Sequence, residues 1–359
     1  MKNDDPNDAQ SFVFVACQPR SQNFCKQEIN QHLPWLKFSF SRPGFLTWKV
    51  EQPLSERFDL PLTFARTFGW SIEGTKSTQL EEISLRLAKH FEAFDCKLVH
   101  LWDRGWQDAN SEKPNPESES AKIQLAQVTA DLPKPIGSTV NQLARTNQKV
   151  LDVVRLENDH WWFGWHIAGT LPQRWPGGIP KLTANAGLIS RAHLKVTECL
   201  QWSGIHIKPN DVCVEIGAAP GGVCQKLLQL GATVVAVDPA ELDPVVAGHQ
   251  KLTHLRMRGR EIPHKAIADA KWLFVDSNVA PQHTLDTVEE LIQGERVNFR
   301  GLFLTLKLVD QKLTAQIPEY IQRVRSWGFG FVKTRQLAYG GQEICLVALK
   351  QKSMRRFQK

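Results

Sequence analysis

The chain has 359 residues, of which 42% are hydrophobic and 23% are charged. This length suits two or three domains, and the composition excludes a globally disordered chain. The net charge of +7 and the isoelectric point near 9.0 favour an anionic partner, either nucleic acid or an acidic membrane surface.

The seven cysteines are scattered, without a CxxC pair or a Cys/His metal-binding spacing. Several lie in apolar runs, which is typical of reduced, buried thiols in the cytosol. Residues 1–10 are acidic and polar and lack a signal-peptide pattern. No apolar run approaches the ~20 residues of a membrane span. We therefore expect a soluble, cytoplasmic protein.

Strand and helix patterns alternate through the N-terminal half. The sequence predicts strands over 11–17, 44–50, 98–102, 149–156 and 161–168, and helices over 23–33 and 80–94. Residues 107–121 are polar and rich in Pro, Ser and Glu, which predicts a loop or linker. Residues 173–180 form a second break, where we place the main domain boundary. The expected domains are an α+β domain over 1–75, a second domain over 76–175 and a C-terminal domain over 181–352.

From residue 181 onward, short apolar runs alternate with helical segments. An amphipathic helix is predicted over 188–202, followed by strands at 211–216, 233–237, 253–257, 271–276 and 301–306. This alternation predicts an α/β fold with a doubly wound, Rossmann-like parallel sheet. The last two strands, FGFVKT and EICLVAL, lie close together in sequence. They predict a terminal hairpin in which one edge strand is antiparallel.

Nine of the twelve tryptophans lie at or before Trp175. Such rings stack on unpaired RNA bases in some proteins, but they are more often core residues, and we expect a core role here.

A glycine-rich loop follows the first strand of the C-terminal domain and opens a helix. Its sequence, GAAPGG (217–222), lets the backbone turn tightly and approach a ligand. Asp238 ends the next strand, where a carboxylate can accept hydrogen bonds from ribose hydroxyls. This layout alone serves either a nicotinamide dinucleotide or S-adenosylmethionine. The GxGxxG spacing is absent and Pro220 occupies the loop, which weakens the nicotinamide interpretation.

Four charged residues are hard to explain as core residues, and we call them the tetrad: Lys195, Asp276, Lys307 and Glu343. Lys195 lies in the apolar helix before the first strand, and the other three lie at strand ends. Lysine and glutamate are rarely buried without a partner. Convergence of the four in one site would explain their positions, although each alone is more often a solvated charge.

The ordered motifs SRAxxK (190–195), GAAPGG (217–222), VD (275–276), LK (306–307) and Glu343 resemble those of the FtsJ-like ribose 2′-O-methyltransferases. The resemblance spans residues 188–350. Within that family it is greatest to the members that act on a cytidine of bacterial large-subunit ribosomal RNA. Those members carry an N-terminal RNA-binding region with a THUMP-like module, and residues 62–70 and 161–169 look similar to such a region.

The resemblance implies a role for each tetrad residue. Lys307 would be the general base for the ribose 2′-hydroxyl, which requires its pKa to lie below the ordinary lysine value of ~10.4. Burial and the nearby cation Lys195 would lower the pKa, whereas Asp276 and Glu343 would oppose this shift. Lys195 and Asp276 would orient the hydroxyl and the base, and Glu343 would complete the network. No metal would be needed. S-adenosylmethionine would be held by Gly217, Ala218, Ala219, Pro220, Gly221, Gly222, Asp238 and Asp276.

The sequence departs from the family at two places. Val223 stands where an aromatic residue often follows the loop glycines, and Arg258 and Arg260 follow the third strand, where an acid near adenine is frequent. Two alternatives therefore stay open: an RNA-binding protein with a vestigial methyltransferase fold, and a nicotinamide-dependent oxidoreductase. Arg258 and Arg260 could instead face RNA phosphates, and the loop at 279–281 could line the substrate pocket.

Overall fold

The computed structural model of the protein describes residues 11–104, 116–182, 187–294 and 297–350. The chain forms two compact units, Met1–Lys181 (the N-terminal unit) and Leu182–Lys359 (the C-terminal unit). The expected boundary after residue 75 falls inside a strand, Ala65–Lys76. This strand pairs with strands from both sides of that boundary, so one continuous sheet replaces the two expected N-terminal domains.

The N-terminal unit is an α+β structure built on a seven-stranded sheet of order β2-β3-β1-β4-β7-β6-β5. Neighbouring strands are antiparallel except for β5 and β6, which are parallel. The elements are β1 (Phe12–Cys17), α1 (Gln22–His32), β2 (Leu36–Arg42), β3 (Phe45–Val50), β4 (Ala65–Lys76), α2 (Leu80–Ala93), β5 (Leu98–Asp103), α3 (Pro116–Ala130), α4 (Lys134–Gly137), β6 (Lys149–Glu157) and β7 (His160–Ile167).

The predicted linker over 107–121 is wrong at its C-terminal end. Helix α3 begins at Pro116, whereas residues 107–115 lie outside the described residues. A proline at the first helical position needs no hydrogen-bond donor, and the following Glu, Ala, Lys and Leu residues favour a helix. Trp48, Trp70, Trp161 and Trp165 are core residues as expected, since they are almost fully buried.

The C-terminal unit is an α/β structure with a seven-stranded sheet of order β10-β9-β8-β11-β12-β14-β13. Its strands read as continuous apolar runs because helices cover both faces of such a sheet. The elements are α5 (Ala192–Ser203), β8 (Val212–Ile216), α6 (Gly222–Gln229), β9 (Thr233–Val237), α7 (Pro244–Ala247), β10 (Leu252–Leu255), β11 (Trp272–Val275), α8 (Pro281–Ile292), β12 (Gly301–Lys307), α9 (Ile317–Ser326), β13 (Phe331–Arg335) and β14 (Glu343–Leu349).

The doubly wound, largely parallel sheet is confirmed, and so is the terminal hairpin. The position of the antiparallel strand differs from the prediction. Strand β14 runs antiparallel between β12 and β13, so the antiparallel strand is internal and β13 forms the edge. Within the described ranges, no helix is long and apolar enough to cross a membrane.

Candidate active site

The sheet of the C-terminal unit brings three tetrad residues to one edge. Asp276 directly follows β11, and Lys307 is the last residue of β12. Glu343 is the first residue of the antiparallel strand β14 and lies opposite Lys307 in the pairing of the two strands. The start of β14 and the ends of β11 and β12 therefore share one edge. Lys195 reaches this edge from helix α5.

The four tetrad side chains form a closed ring in which positive and negative groups alternate. Lys195 Nζ donates to Asp276 Oδ2 at 2.5 Å and to Glu343 Oε1 at 3.0 Å. Lys307 Nζ donates to Asp276 Oδ1 at 2.9 Å and to Glu343 Oε2 at 2.5 Å. Each carboxylate thus gives one oxygen to each ammonium group. Ion pairs with charge-assisted hydrogen bonds at every oxygen hold a fixed geometry.

The ring is mostly shielded from water, since 17% of each lysine side chain, 15% of Asp276 and 11% of Glu343 is exposed. Burial raises the pKa of Asp276, but the ammonium groups of Lys195 and Lys307 outweigh it and hold the pKa below its ordinary value. Asp276 is therefore ionised at neutral pH.

The protonation of Lys307 differs from the expectation of a lowered pKa. Burial lowers the pKa of this ammonium group, but attraction to Asp276 and Glu343 exceeds that effect, and the pKa lies above its ordinary value. Asp276 and Glu343 each accept a hydrogen bond directly from Lys307 Nζ. Lys195 bonds the same two carboxylates and has no hydrogen bond to Lys307. In this form the protein holds Lys307 as an ammonium ion.

The glycine-rich loop lies at the same edge, between β8 and α6. Gly217 has φ = +79°, and a Cβ atom there would lie 2.6 Å from the carbonyl oxygen of Asp276. Only glycine suits both the left-handed backbone and this close approach. The amide of Gly217 donates to the carbonyl of Val237 at 3.0 Å. The loop is therefore held between the ends of β9 and β11.

Asp238 follows β9 and joins the glycine-rich loop to the next connection. Its carboxylate accepts the amide of Ala219 at 3.1 Å through Oδ2 and the amide of Ala240 at 2.8 Å through Oδ1. A carboxylate has about four lone-pair positions, so both oxygens keep capacity for further donors. Pro220 of the loop contacts this connection as well, since its carbonyl accepts the amide of Asp243 at 2.9 Å.

The basic residues after β10 contact acidic residues of the same unit. Arg260 lies 3.7 Å from carboxylate oxygens of both Asp286 and Glu290 on α8. Its charge is therefore partly compensated within the unit. The Arg258 amide donates to the Glu261 carboxylate at 2.8 Å.

Two residues behind the loop were not singled out from the sequence. Glu215 is buried, which raises its pKa to about 8, and its carboxylate accepts the Cys224 thiol at 2.7 Å. A small pocket, partly open to solvent, extends from there to the tetrad. Its lining includes Lys195, Cys199, Glu215, Asp276, Thr305 and Cys345. A glutamate inside an apolar strand was the available sequence signal for Glu215.

Across the described ranges, no group of three or more His, Cys, Asp or Glu side chains is arranged to hold a metal ion. The site consists of a glycine-rich loop, a strand-end carboxylate and a ring of two lysines and two carboxylates.

Residues 188–299 match the family model of the FtsJ-like methyltransferases. The C-terminal unit therefore contains an FtsJ-like methyltransferase domain with a Rossmann-like α/β methyltransferase fold. The match includes Lys195, the glycine-rich loop, Asp238 and Asp276, whereas Lys307 and Glu343 lie beyond it.

The chain is also similar to proteins named ribosomal RNA large subunit methyltransferase M. It is 29% identical over 199 residues to that of Halorhodospira halophila, covering 53% of this chain and 56% of the relative. It is 29% identical over 161 residues to that of Laribacter hongkongensis, covering 42% and 44%. It is 31% identical over 151 residues to that of Alkalilimnicola ehrlichii, covering 38% and 41%. The matches thus span about half the length of these relatives.

Proposed function

We propose that this protein transfers a methyl group from S-adenosylmethionine to a ribose 2′-hydroxyl of RNA, and that its target is a cytidine of large-subunit ribosomal RNA. The observation that carries the proposal is the closed tetrad ring at the sheet edge, beside the glycine-rich loop. The similarity to large-subunit methyltransferases supports the choice of RNA.

The residues at this edge suit S-adenosylmethionine. Asp238 would accept hydrogen bonds from the ribose hydroxyls, since both of its oxygens have lone pairs to spare. The loop from Gly217 to Gly222, with Asp276 beside it, would hold the methionine end, because Gly217 brings the backbone close without a side chain. The cofactor, when bound, supplies an electrophilic methyl group on a sulfonium ion.

Lys307 would accept the proton of the ribose hydroxyl at its Nζ atom. It can do so only as the neutral amine, and its raised pKa makes that form scarce at neutral pH. Lys195 and Asp276 would hold the hydroxyl oxygen and Nζ in line, and Glu343 would fix Lys307 from the opposite side. Alignment of the reacting atoms would then contribute much of the rate.

The proposal is tested by methyl transfer to ribosomal RNA from cells that lack the protein, with tritiated S-adenosylmethionine and mapping of 2′-O-methylated nucleotides. We expect one modified cytidine with the wild-type protein and none with Lys307→Ala. Lys333→Ala is the matched control, because Lys333 is an exposed lysine on the edge strand β13. Full activity of Lys307→Ala, with cofactor binding retained by calorimetry, would exclude this mechanism.

We also propose that the N-terminal unit binds RNA, as expected for a THUMP-like region. Phe38 on the edge strand β2 is 49% exposed, and among the described residues no other Phe, Trp or Tyr side chain is exposed to this extent. Lys26 Nζ lies 4.2 Å from the centre of its ring. An exposed ring beside a cation suits an unpaired base and its phosphate. Phe38→Ala should weaken binding of a labelled single-stranded RNA, whereas Leu85→Ala, at a residue that is 72% exposed, should not.

A further inference from the structure

Glu198 on helix α5 is a fully buried carboxylate with two backbone partners. Its Oε1 accepts the amide of Ala338 at 2.8 Å, and its Oε2 accepts the amide of Tyr339 at 3.0 Å. Both amides belong to the connection between β13 and β14, which is itself buried from Gln336 to Gly340. Buried backbone donors need acceptors, and a carboxylate with one oxygen for each amide satisfies both.

Glu198 lies three residues after Lys195, so the two side chains project from neighbouring positions of the same helix face. Lys195 bonds Glu343, the first residue of β14, and Glu198 bonds the chain just before it. One turn from Lys195, the Cys199 sulfur lies 3.2 Å from that of Cys345. Helix α5 thus contacts the β13–β14 hairpin through three of its residues.

The three tetrad residues of the sheet do not depend on this attachment. Lys307 and Glu343 face each other in the pairing of β12 and β14, and Asp276 follows β11, which pairs with β12. Lys195, in contrast, lies on helix α5, outside the sheet. Its distance from the other three therefore depends on how α5 is attached to the hairpin.

We infer that Glu198 is a positioning residue for methyl transfer: its bonds to the β13–β14 connection set the place of Lys195 against Lys307 and Glu343. The inference rests on the proposed function, because it assigns Glu198 a part in the same reaction. Glu198 acts only through Lys195 and has no contact with the reacting atoms of its own.

The substitution Glu198→Gln tests the inference with almost no change of shape. Glutamine keeps one acceptor oxygen and turns an NH₂ group toward a backbone N–H, so one bond is lost and two donors face each other. The helix must then move. Because misplacement by about 1 Å can cost on the order of 100-fold in rate, we expect kcat to fall at least tenfold while cofactor and RNA affinities stay unchanged.

The matched control is Asp211→Asn. Asp211 is also a buried carboxylate of this unit and accepts the Lys208 amide at 3.1 Å and Trp272 Nε1 at 2.9 Å. It precedes β8 and so lies at the sheet edge opposite the tetrad. Asp211→Asn should therefore lower the melting temperature without lowering kcat. The rates are compared per cofactor-binding site, counted by calorimetric titration, so that misfolded protein does not count.

Glu198→Asp is a second variant that keeps both oxygens but shortens the reach by one methylene group. Wild-type kcat per site in both Glu198 variants would overturn the inference. So would loss of cofactor binding in both while Asp211→Asn still binds, because Glu198 would then support the whole unit. Absence of methyl transfer by the wild-type protein would instead refute the proposed function itself.

A double-mutant cycle with Lys195→Ala in single-turnover assays asks whether Glu198 acts through Lys195. If it does, Glu198→Gln should cause no further loss of rate once Lys195 is removed. Equal fold-losses in the presence and absence of Lys195 would contradict the inference.

Discussion

Replacing Gly217 by alanine should damage the site in two separable ways. The first is backbone strain, since Gly217 has φ = +79°. A non-glycine residue in the left-handed region costs roughly 1–2 kcal/mol. For a unit of this size that corresponds to a decrease in melting temperature of roughly 2–8 °C.

The second effect is a clash with the tetrad. The new Cβ atom would lie 2.6 Å from the carbonyl oxygen of Asp276 and 3.0 Å from Cα of Ser277. Relief of these contacts requires a shift on the order of 0.5–1 Å, and the atoms that must shift belong to Asp276. Such a displacement should lower the methyl-transfer rate about tenfold or more.

Gly328→Ala separates the two effects. Gly328 follows helix α9 and has φ = +88°, but a Cβ atom there would have no neighbour within 4 Å. Calorimetric melting should therefore show similar destabilisation by both substitutions, with any excess in Gly217→Ala, whereas single-turnover methyl transfer should be impaired only in Gly217→Ala. Equal rates in the two variants would refute the idea that Gly217 sets the position of Asp276.

Two predictions concern pH. Because the pKa of Lys307 is raised, kcat/KM should increase with pH above neutrality as the neutral amine becomes populated; a flat profile would contradict its role as base. In the N-terminal unit, burial lowers the pKa of His166, but Asp152, 2.5 Å from Nδ1, and the Gln173 carbonyl, 2.7 Å from Nε2, outweigh it and raise the pKa. The stability that this imidazolium contributes is complete below the unfolded pKa of ~6.5 and is lost as pH rises through the folded pKa. Urea unfolding followed by tryptophan fluorescence should show this loss in the wild type and not in His166→Gln.

The C-terminal sheet could be predicted because its strands are buried on both faces and therefore form continuous apolar runs, and because two of these runs end at a charged residue. The run KWLFVD is strand β11 followed by Asp276, and GLFLTLK is strand β12 ending in Lys307. Carboxyl ends of parallel strands lie at one edge, so the convergence of these two residues follows from local patterns. Asp238 likewise follows a parallel strand, β9, and lies beside the glycine-rich loop.

Features that depend on contacts far apart in the chain could not be predicted in this way. The insertion of β14 between β12 and β13 is decided by pairing over many residues. The attachment of Glu198 joins residues 140 and 141 positions apart. The protonation of Lys307 depends on opposing effects of burial and charge that only distances can rank. The sequence of β4, which spans residue 75, does not indicate that this strand pairs with strands on both sides of the expected boundary.

The tetrad ring has a further consequence for how the proposed RNA substrate would reach the site. Two ammonium groups and two carboxylates sum to zero charge, and their alternation makes the ring a compact quadrupole whose field decays steeply with distance. Such a centre neither draws a polyanion from solution nor repels a sulfonium cation before contact. Long-range attraction must then arise from the remaining surface of a chain with net charge +7. Added salt should accordingly weaken capture of RNA while leaving the chemical step at the ring almost untouched.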